Sequence, residues 1–506
     1  MKKNKLELGI FIPGLLILLV IIAFLIFMPE VASHAIDSVF HFIAFDMGWV
    51  YLLIVFAIAV FSVWLCFSKY GSIKLGPPDS KKEYSEFAWG SMMFTAGIGI
   101  GITLLSFVEP ISLLKYPAFS FIEQMSDIAY EYAHMYDQFL WGPVGWAVYV
   151  PGTIAVAYSI YVRQDKTLRL SQSCAPVLKD KTSKGLGRVI DVIALMGTVG
   201  GIATSIGLGV PFVSNIANHM WGVPETTKTD CIILLLWLIL FGTFLFFGLD
   251  NGIKKLSSFN MYLFGFFVVI ILLRSPILDI LNMEVNSIGL MLDNFFNLCF
   301  GTDPVTKSGN PQNWVVFYWA WWVSFIPMMG LFVARISKGR TIREVVAGEI
   351  LWGAGGCMCT FGLFGGYAFY LQKNGIIDLV SVMESKGRNY VAISIIESLP
   401  MGRILMYAFL ALVFIFMATT IESTAYILAS MTTKQIAGDE EPTRWNRMLW
   451  SIIIMLLSLG LMIVGGLQSV QTSSLVAGFP LLAVAIVMMI SIVKSGKNFF
   501  DKSNKK

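Results

Sequence analysis

Charge is what this chain has least of. Only 13% of its 506 residues are Asp, Glu, Lys or Arg, against 56% hydrophobic and 14% aromatic, and its mean hydropathy is +0.73. Soluble domains carry about 25% charged residues, so a soluble globular chain is excluded. The net charge of +4 does not point to nucleic acid, because it is carried in short loops between apolar runs. Histidine is scarcer still: His34, His41, His134 and His219, all in or beside what read as outer loops. No Ser/His/Asp grouping and no metal-ligand spacing occurs, so a membrane enzyme acting on choline-like or lipid substrates has no catalytic set to work with. Six cysteines are scattered, mostly inside apolar segments and without a CxxC. Cys357 and Cys359, two positions apart in one apolar run, face different sides, so neither a disulfide framework nor a metal site is expected.

What the chain has in abundance is apolar runs of about 20 residues, the length that crosses a bilayer. Twelve are expected, at 9–28, 47–68, 88–114, 139–162, 190–218, 229–248, 257–275, 312–336, 345–371, 401–432, 449–467 and 473–494. The basic start, Met1 to Lys5, followed by Leu8–Met28 resembles a signal peptide in outline. That run is long enough to span and no A-x-A-like site follows it, so it is kept as the first span. Leu278–Phe300 alternates apolar and acidic residues at helical spacing and reads as an amphipathic surface helix; Asp378–Leu399 is a candidate for a second. Both tails are short, and no soluble domain interrupts the array.

Basic residues gather on one side: Lys2, Lys3 and Lys5, Lys69 to Lys82, Arg163 to Arg188, Lys254 and Lys255, the Arg335–Arg343 cluster, Lys434 to Arg447, and the C-terminal lysines. The opposite loops are read as acidic or neutral, with Glu30, Asp37 and Asp46, then Glu123, Asp127, Glu131 and Asp137. By the positive-inside rule both termini are cytoplasmic; the plasma membrane of a prokaryote is the expected location.

Four stretches carry chemistry. In the eighth span Trp319, Trp321 and Trp322 crowd one turn, with Pro327 and Gly330 just beyond. Such rings form either a headgroup belt or the wall of a pocket for a cation without N–H donors, such as a quaternary ammonium. The fourth span places Trp141, Trp146 and Tyr149 on one arc, interrupted by Gly142 and Pro143, which a belt does not need. In the third span Gly97, Gly99 and Gly101 recur at every second position, each costing about 1 kcal/mol in a helix. Either the helix is unwound there and exposes backbone groups to a cavity, or small residues let helices pack closely. Glu109-Pro110, further on, reads as an interfacial cap. The tenth span holds Thr419, Thr420 and Glu422; the hydroxyls either bond back to their own helix or act as hard oxygen ligands for an alkali cation. An intramembrane carboxylate such as Glu422 invites a functional reading.

The W-A-W-W run with A-R-I-S-K-G-R-T-I-R-E after it, M-M-F-T-A-G-I-G-I-G and L-W-G-P-V-G-W-A-V-Y together resemble the betaine/choline/carnitine transporter family over nearly the whole chain. The resemblance implies an all-α integral membrane protein of twelve transmembrane helices with a LeuT-type fold. Two N-terminal helices (1–87) precede a first five-helix repeat, spans 3–7 (88–276). An amphipathic linker (277–311), an inverted second repeat, spans 8–12 (312–495), and a short cytoplasmic tail (496–506) follow. It implies a homotrimer with a substrate site in each protomer. The family's aromatic box falls on Trp141, Trp146, Tyr149 and Trp322, with Trp321 and Phe325 beside it, and the substrate carboxylate would meet backbone amides around Gly97 and Gly99.

The resemblance also divides two modes of coupling. In sodium symporters the ion lies between the third and tenth spans, which here gives the carbonyls of Thr95, Ile98 and Phe416 and the hydroxyls of Thr419 and Thr420. In the sodium-independent carnitine/γ-butyrobetaine antiporter an arginine fills that place; aligned through Gly248–Gly252, its position is Asn260 here, which favours sodium. A second sodium site would fall on Thr198, Ile202 and Met328, poor ligands after the first, so one sodium per cycle is the working number. Met329 matches a methionine of the antiporter's substrate site, whereas that protein's pocket tyrosine is Ser112 here. The reading is secondary transport of a betaine, choline or carnitine-class compound, by sodium symport or by exchange. No enzyme activity, no cofactor beyond sodium and no nucleic-acid partner are expected, and a channel is the remaining class. The short tails argue against osmosensing through a long charged C-terminal segment.

Overall fold

A backbone in hydrocarbon has no water to bond with, so it must close its hydrogen bonds within each segment. The computed structural model describes residues 6–503 apart from 98, 166, 168, 248–249 and 435–440, and among these the chain is helical almost throughout. No strand forms; two isolated bridges, Leu6 to Thr433 and Lys74 to Thr341, tie loops together. Among the described residues nine helices are long and apolar enough to span a membrane, and a tenth is the bent pair Gln312–Ser324 and Ile326–Ile336. The other two expected spans correspond to the interrupted segment Glu86–Gly97, Gly101–Leu105 and Ser106–Lys115 and to the helix Thr227–Phe247. The twelve-span reading fits this arrangement.

Burial separates core from periphery. Only 33% of the apolar stretch of each of the first two spans is buried, against 94% in Asp127–Tyr161 and 78% in Gly185–Trp221. The fourth and fifth spans therefore form the centre, and lipid-facing side chains such as Val20, Leu273 and Leu351 stand on the outside. Close approach at the centre depends on small residues. A Cβ on Gly330 would lie 2.8 Å from the backbone carbon of Gly152, which sets the eighth span directly against the fourth.

Local signals place the helix ends. Thr341 and Glu344 form a reciprocal capping box that starts Ile342–Lys373, each side chain satisfying an orphan backbone N–H. Ser126 caps Asp127–Leu140 by accepting from the amide of Ala129. That helix corrects the sequence reading, in which Glu123 to Asp137 was an acidic outer loop. Only Glu123 lies in a loop; Asp127, Glu131 and Asp137 are helical, and Asp137 is buried. His134 is buried too, held by Ser287 Oγ at 2.7 Å and facing the Gly362 carbonyl at 3.2 Å.

The amphipathic helix is present as Ile277–Asp293, followed by Phe295–Phe300. Asp378–Leu399 resolves into two short helices, Leu379–Lys386 and Asn389–Ser398, separated by Gly387 with φ +102°. The second is largely buried, so it is packed into the protein rather than lying on its surface. Glu284 anchors the amphipathic helix to the fourth span by accepting from Gln138 Nε2 at 2.8 Å. Burial pushes its carboxyl up to about 6, and the Gln138 bond only partly offsets that. A carboxyl with a raised folded pKa contributes stability below its unfolded value and loses it as pH rises through about 6. Glu284→Gln is therefore expected to raise the thermal midpoint in detergent at about pH 8 and to leave it nearly unchanged near pH 4, below the unfolded value of about 4.3, measured by scanning fluorimetry at both values.

Candidate functional site

Three spans break, and their breaks meet. The third is helical to Gly97 and resumes in a π-turn at Gly101–Leu105, so the broken-helix alternative holds for the glycine stretch. The fourth stops at Trp141–Gly142, because Pro143 has no N–H to continue the ladder and starts a new helix instead. The eighth bends by 53° at Phe325, with Pro327 in the first turn of the next piece. Between them lies a cavity. Gly99, Ile100 and Gly101 line it from the third span, Trp141 and Tyr149 from the fourth, and Ser205 from the fifth. The eighth span contributes Trp321, Trp322, Phe325, Met328 and Met329, and the tenth Met417 and Thr420.

The rings are buried, which rules out a headgroup belt. Trp141, Trp321 and Trp322 are each 6% exposed and Trp319 1%. Trp322 is the hub: its ring centre lies 5.6 Å from Trp141, 5.6 Å from Trp146 and 5.3 Å from Tyr149. Trp321 stands 6.0 Å from Trp141 in an edge contact. Trp146 completes the cluster but does not line the cavity; it stands behind Trp322, fully buried.

The indole N–H groups of Trp141, Trp146, Trp321 and Trp322 are each turned to a protein acceptor. Trp141 donates to Glu109 at 3.2 Å, Trp146 to Cys357 Sγ at 3.3 Å, Trp321 to the Gly201 carbonyl at 3.3 Å and Trp322 to the Leu140 carbonyl at 3.1 Å. The rings of Trp141, Trp321 and Trp322 are thus left to present π surface. A wall of that kind attracts a cation that has no hydrogens to donate, at about 0.5–2 kcal/mol per ring when desolvated.

The other expected site residues are placed as follows. Gly99 and Met329 line the cavity, whereas Gly97 ends the helix before the break. Thr95 donates to the Met92 carbonyl at 3.1 Å. Ile98 lies outside the described residues. Thr419 bonds the Ile415 and Phe416 carbonyls, each at 3.0 Å, and Thr420 the Phe416 carbonyl at 2.7 Å. Both hydroxyls therefore bond back to their own helix, and their lone pairs stay open to accept. Among the described residues no cluster of His, Cys, Asp and Glu suited to a metal ion occurs, which says nothing of a site built from hydroxyls and carbonyls. Thr198 bonds the Ala194 carbonyl at 2.9 Å, and Met328 accepts from Thr424 at 3.6 Å. Glu422 is held by Arg447 at 2.6 Å, an ion pair between the tenth and eleventh spans.

Three acids near the site escaped the sequence reading. Glu109 is no interfacial cap: it is buried within Ser106–Lys115, holding the Trp141 indole and the Tyr318 hydroxyl. Asp137 is buried beside it. Glu349, fully buried in the ninth span, accepts from Thr153 at 2.8 Å. Ser205 was missed as a cavity residue as well; a lone serine in an apolar run gives no signal.

Buried helix breaks around an aromatic cavity are the features that a membrane transporter for small organic cations needs. The family model of BCCT, the betaine/carnitine/choline family of transporters, matches residues 9–499. The chain belongs to that family, which consists of transporters and not enzymes and carries quaternary ammonium compounds by secondary transport.

Gly145 tests the geometry. A Cβ there would lie 2.8 Å from Trp322 Cε2, so Gly145→Ala must push the hub ring aside. The expected result is at least about a tenfold loss of quaternary ammonium affinity, the equivalent of one lost ring contact, with a folded protein. Binding titrations followed by tryptophan fluorescence check it, and unchanged affinity would mean that Trp322 is not the hub.

Proposed function

We propose that the protein takes up a betaine-class zwitterion together with sodium, by alternating access. The observation that carries the substrate class is the outward turn of the indole N–H groups, which leaves π surface for a trimethylammonium head. Its carboxylate end needs donors, and the backbone at Gly99–Gly101 and the Ser205 hydroxyl, which line the same cavity, are the groups we assign to it.

Sodium coupling is supported by Asn260. It is 1% exposed in the seventh span, and neither its amide nitrogen nor its carbonyl oxygen has a partner. No cationic side chain replaces an ion there. Phe264, one turn further along the same helix, touches Phe416 with ring centres 6.2 Å apart, next to the back-bonded Thr419 and Thr420. The breaks in the third and eighth spans stand at the start of each five-helix repeat, the arrangement that a LeuT-type fold would give. The remaining parts of the proposal are a homotrimer, a prokaryotic plasma membrane and cytoplasmic termini, the last resting on the basic loops. Met329 in the cavity favours a second reading, a sodium-independent exchanger of a betaine against its product.

Uptake of labelled glycine betaine, carnitine and choline into proteoliposomes separates the two. Concentrative uptake into empty vesicles that requires an inward sodium gradient is the expected result; uptake that ignores sodium and needs a preloaded counter-substrate would establish the exchanger. Two variants accompany it. Trp322→Leu is expected to abolish binding while the protein stays folded, and wild-type affinity would remove the aromatic box. Thr419→Ala with Thr420→Ala is expected to raise the sodium concentration for half-maximal uptake by about tenfold or more, the loss of one ligand contact each; an unchanged sodium dependence would rule out that site.

A further inference from the structure

Three ionisable groups meet beside the aromatic cavity, and transport as described above uses none of them. Glu109, 2% exposed, accepts from Trp141 at 3.2 Å and from the Tyr318 hydroxyl. Asp137, 1% exposed, lies in the last turn of the neighbouring helix Asp127–Leu140, one turn before Trp141, whose backbone N–H donates to the Asp137 carbonyl at 3.3 Å while its indole reaches Glu109. Neither carboxyl oxygen of Asp137 has a hydrogen-bond donor. Arg388, just before the helix Asn389–Ser398, is the third group, and its Nε has no acceptor. With Glu109 and Tyr318 it lines a second cavity.

Asp137 lacks a donor, and the polar group nearest to it is another carboxyl. Two ionised carboxylates can only accept, and two that share a buried site cannot both ionise. One proton resolves both problems, because it turns one carboxyl into a donor to the other. It also balances charge. Two carboxylates, one proton and one guanidinium sum to zero, the state that a low-dielectric site favours.

We propose that Glu109 and Asp137 bind one proton between them, and that this proton holds the Trp141 wall of the cavity in its substrate-receiving position. Without it, two like charges stand in contact and Glu109 must turn away. The Trp141 N–H and the Tyr318 hydroxyl then lose their shared acceptor. Trp141 is stacked on Phe361 at 5.0 Å and touches Trp322 at 5.6 Å, so its displacement reaches the hub of the box.

The other ionisable groups around the pair are engaged elsewhere. On Asp137's own helix, His134 is held by Ser287 and the Gly362 carbonyl. From the amphipathic helix, Glu284 is taken by Gln138. At the end of Glu109's helix, Lys115 pairs with Glu384 at 2.7 Å, and on the ninth span Glu349 accepts from Thr153. Asp230 and Lys386 line a neighbouring cavity with Arg388, not with the two acids. The pair thus titrates against Arg388. Since the protonated pair supports the box, substrate affinity is full at low pH and falls as pH rises through the pair's titration.

The second half of the proposal rests on the transport reading; the first does not, and the test separates them. Infrared difference spectra of the purified, reconstituted protein, taken between about pH 6 and pH 9, read the carboxylic C=O band directly. The wild-type band is expected to exceed that of both Asp137→Asn and Glu109→Gln by the intensity of one carboxylic acid, Glu284 contributing equally to all three. These variants are close to isosteric, and either one alone suffices if the other fails to fold. In binding titrations, wild-type affinity for glycine betaine is expected to fall about tenfold across that range, and that of Asp137→Asn, whose amide donates without a proton, to stay within about twofold. Identical spectra in wild type and variants overturn the proton site. An Asp137→Asn profile that falls in parallel with the wild type overturns the coupling. Failure of the wild type to bind any betaine would count against the transport reading, and the infrared comparison would still decide the proton.

Discussion

The structure depends on one constraint, that backbone groups released inside a membrane must be satisfied by protein. The fourth span shows how this is met. Ending a helix at Leu140 frees its carbonyl, because Pro143 starts a separate helix three residues on. That carbonyl takes the indole N–H of Trp322 at 3.1 Å. One break therefore removes an unsatisfied acceptor and fixes the ring at the centre of the site. The aromatic wall and the broken helices are the same device seen from two sides.

The breaks also explain why the cavity sits where it does. A break exposed to lipid would leave bare amides in hydrocarbon, so breaks gather in the most buried spans and face one another. The 94% buried fourth span carries one of them, and the eighth, packed against it through Gly152 and Gly330, carries another. The first two spans, far less buried, have none, and serve as lipid-facing support.

Much of this was legible in the chain itself. Apolar runs of spanning length gave the array, and Trp-Gly-Pro and Gly-x-Gly-x-Gly placed the breaks, because those residues resist a regular helix for known reasons. Illegible were the acids. Asp137 was read as loop because Glu123, Asp127, Glu131 and Asp137 together looked like a solvated acidic connection. The signal that corrects this was present: Ser126 as a cap, then Ala129, Tyr130, Ala133, Tyr136 and Leu140 at helical spacing. Glu109 had no such signal. Its place beside Pro110 suggests a helix end, and only tertiary packing against Trp141 and Tyr318 turns it into a buried acceptor. Trp146 illustrates the converse: the wheel puts it on the same arc as Trp141 and Tyr149, but the break at Trp141–Gly142 shifts the register, and it packs behind the wall.

Selectivity follows from what the cavity withholds as much as from what it offers. A primary ammonium brings three N–H donors and pays several kcal/mol if they are buried without acceptors. The acceptors that might have served it are engaged: Leu140 and Gly201 carbonyls by indoles, the Phe416 carbonyl by Thr419 and Thr420, Glu109 by Trp141 and Tyr318. A quaternary ammonium brings no donors, so it loses nothing by entering and gains the rings. Polar specificity elsewhere comes from leaving the wrong ligand's groups unpaired, and the same rule applies here with the sign reversed: the cavity admits the cation that asks for no hydrogen bonds and starves the one that does. The indole N–H groups, turned outward and bonded, deepen that starvation, because they occupy the Leu140 and Gly201 carbonyls and leave an amino group only hydroxyl acceptors such as those of Thr420 and Ser205.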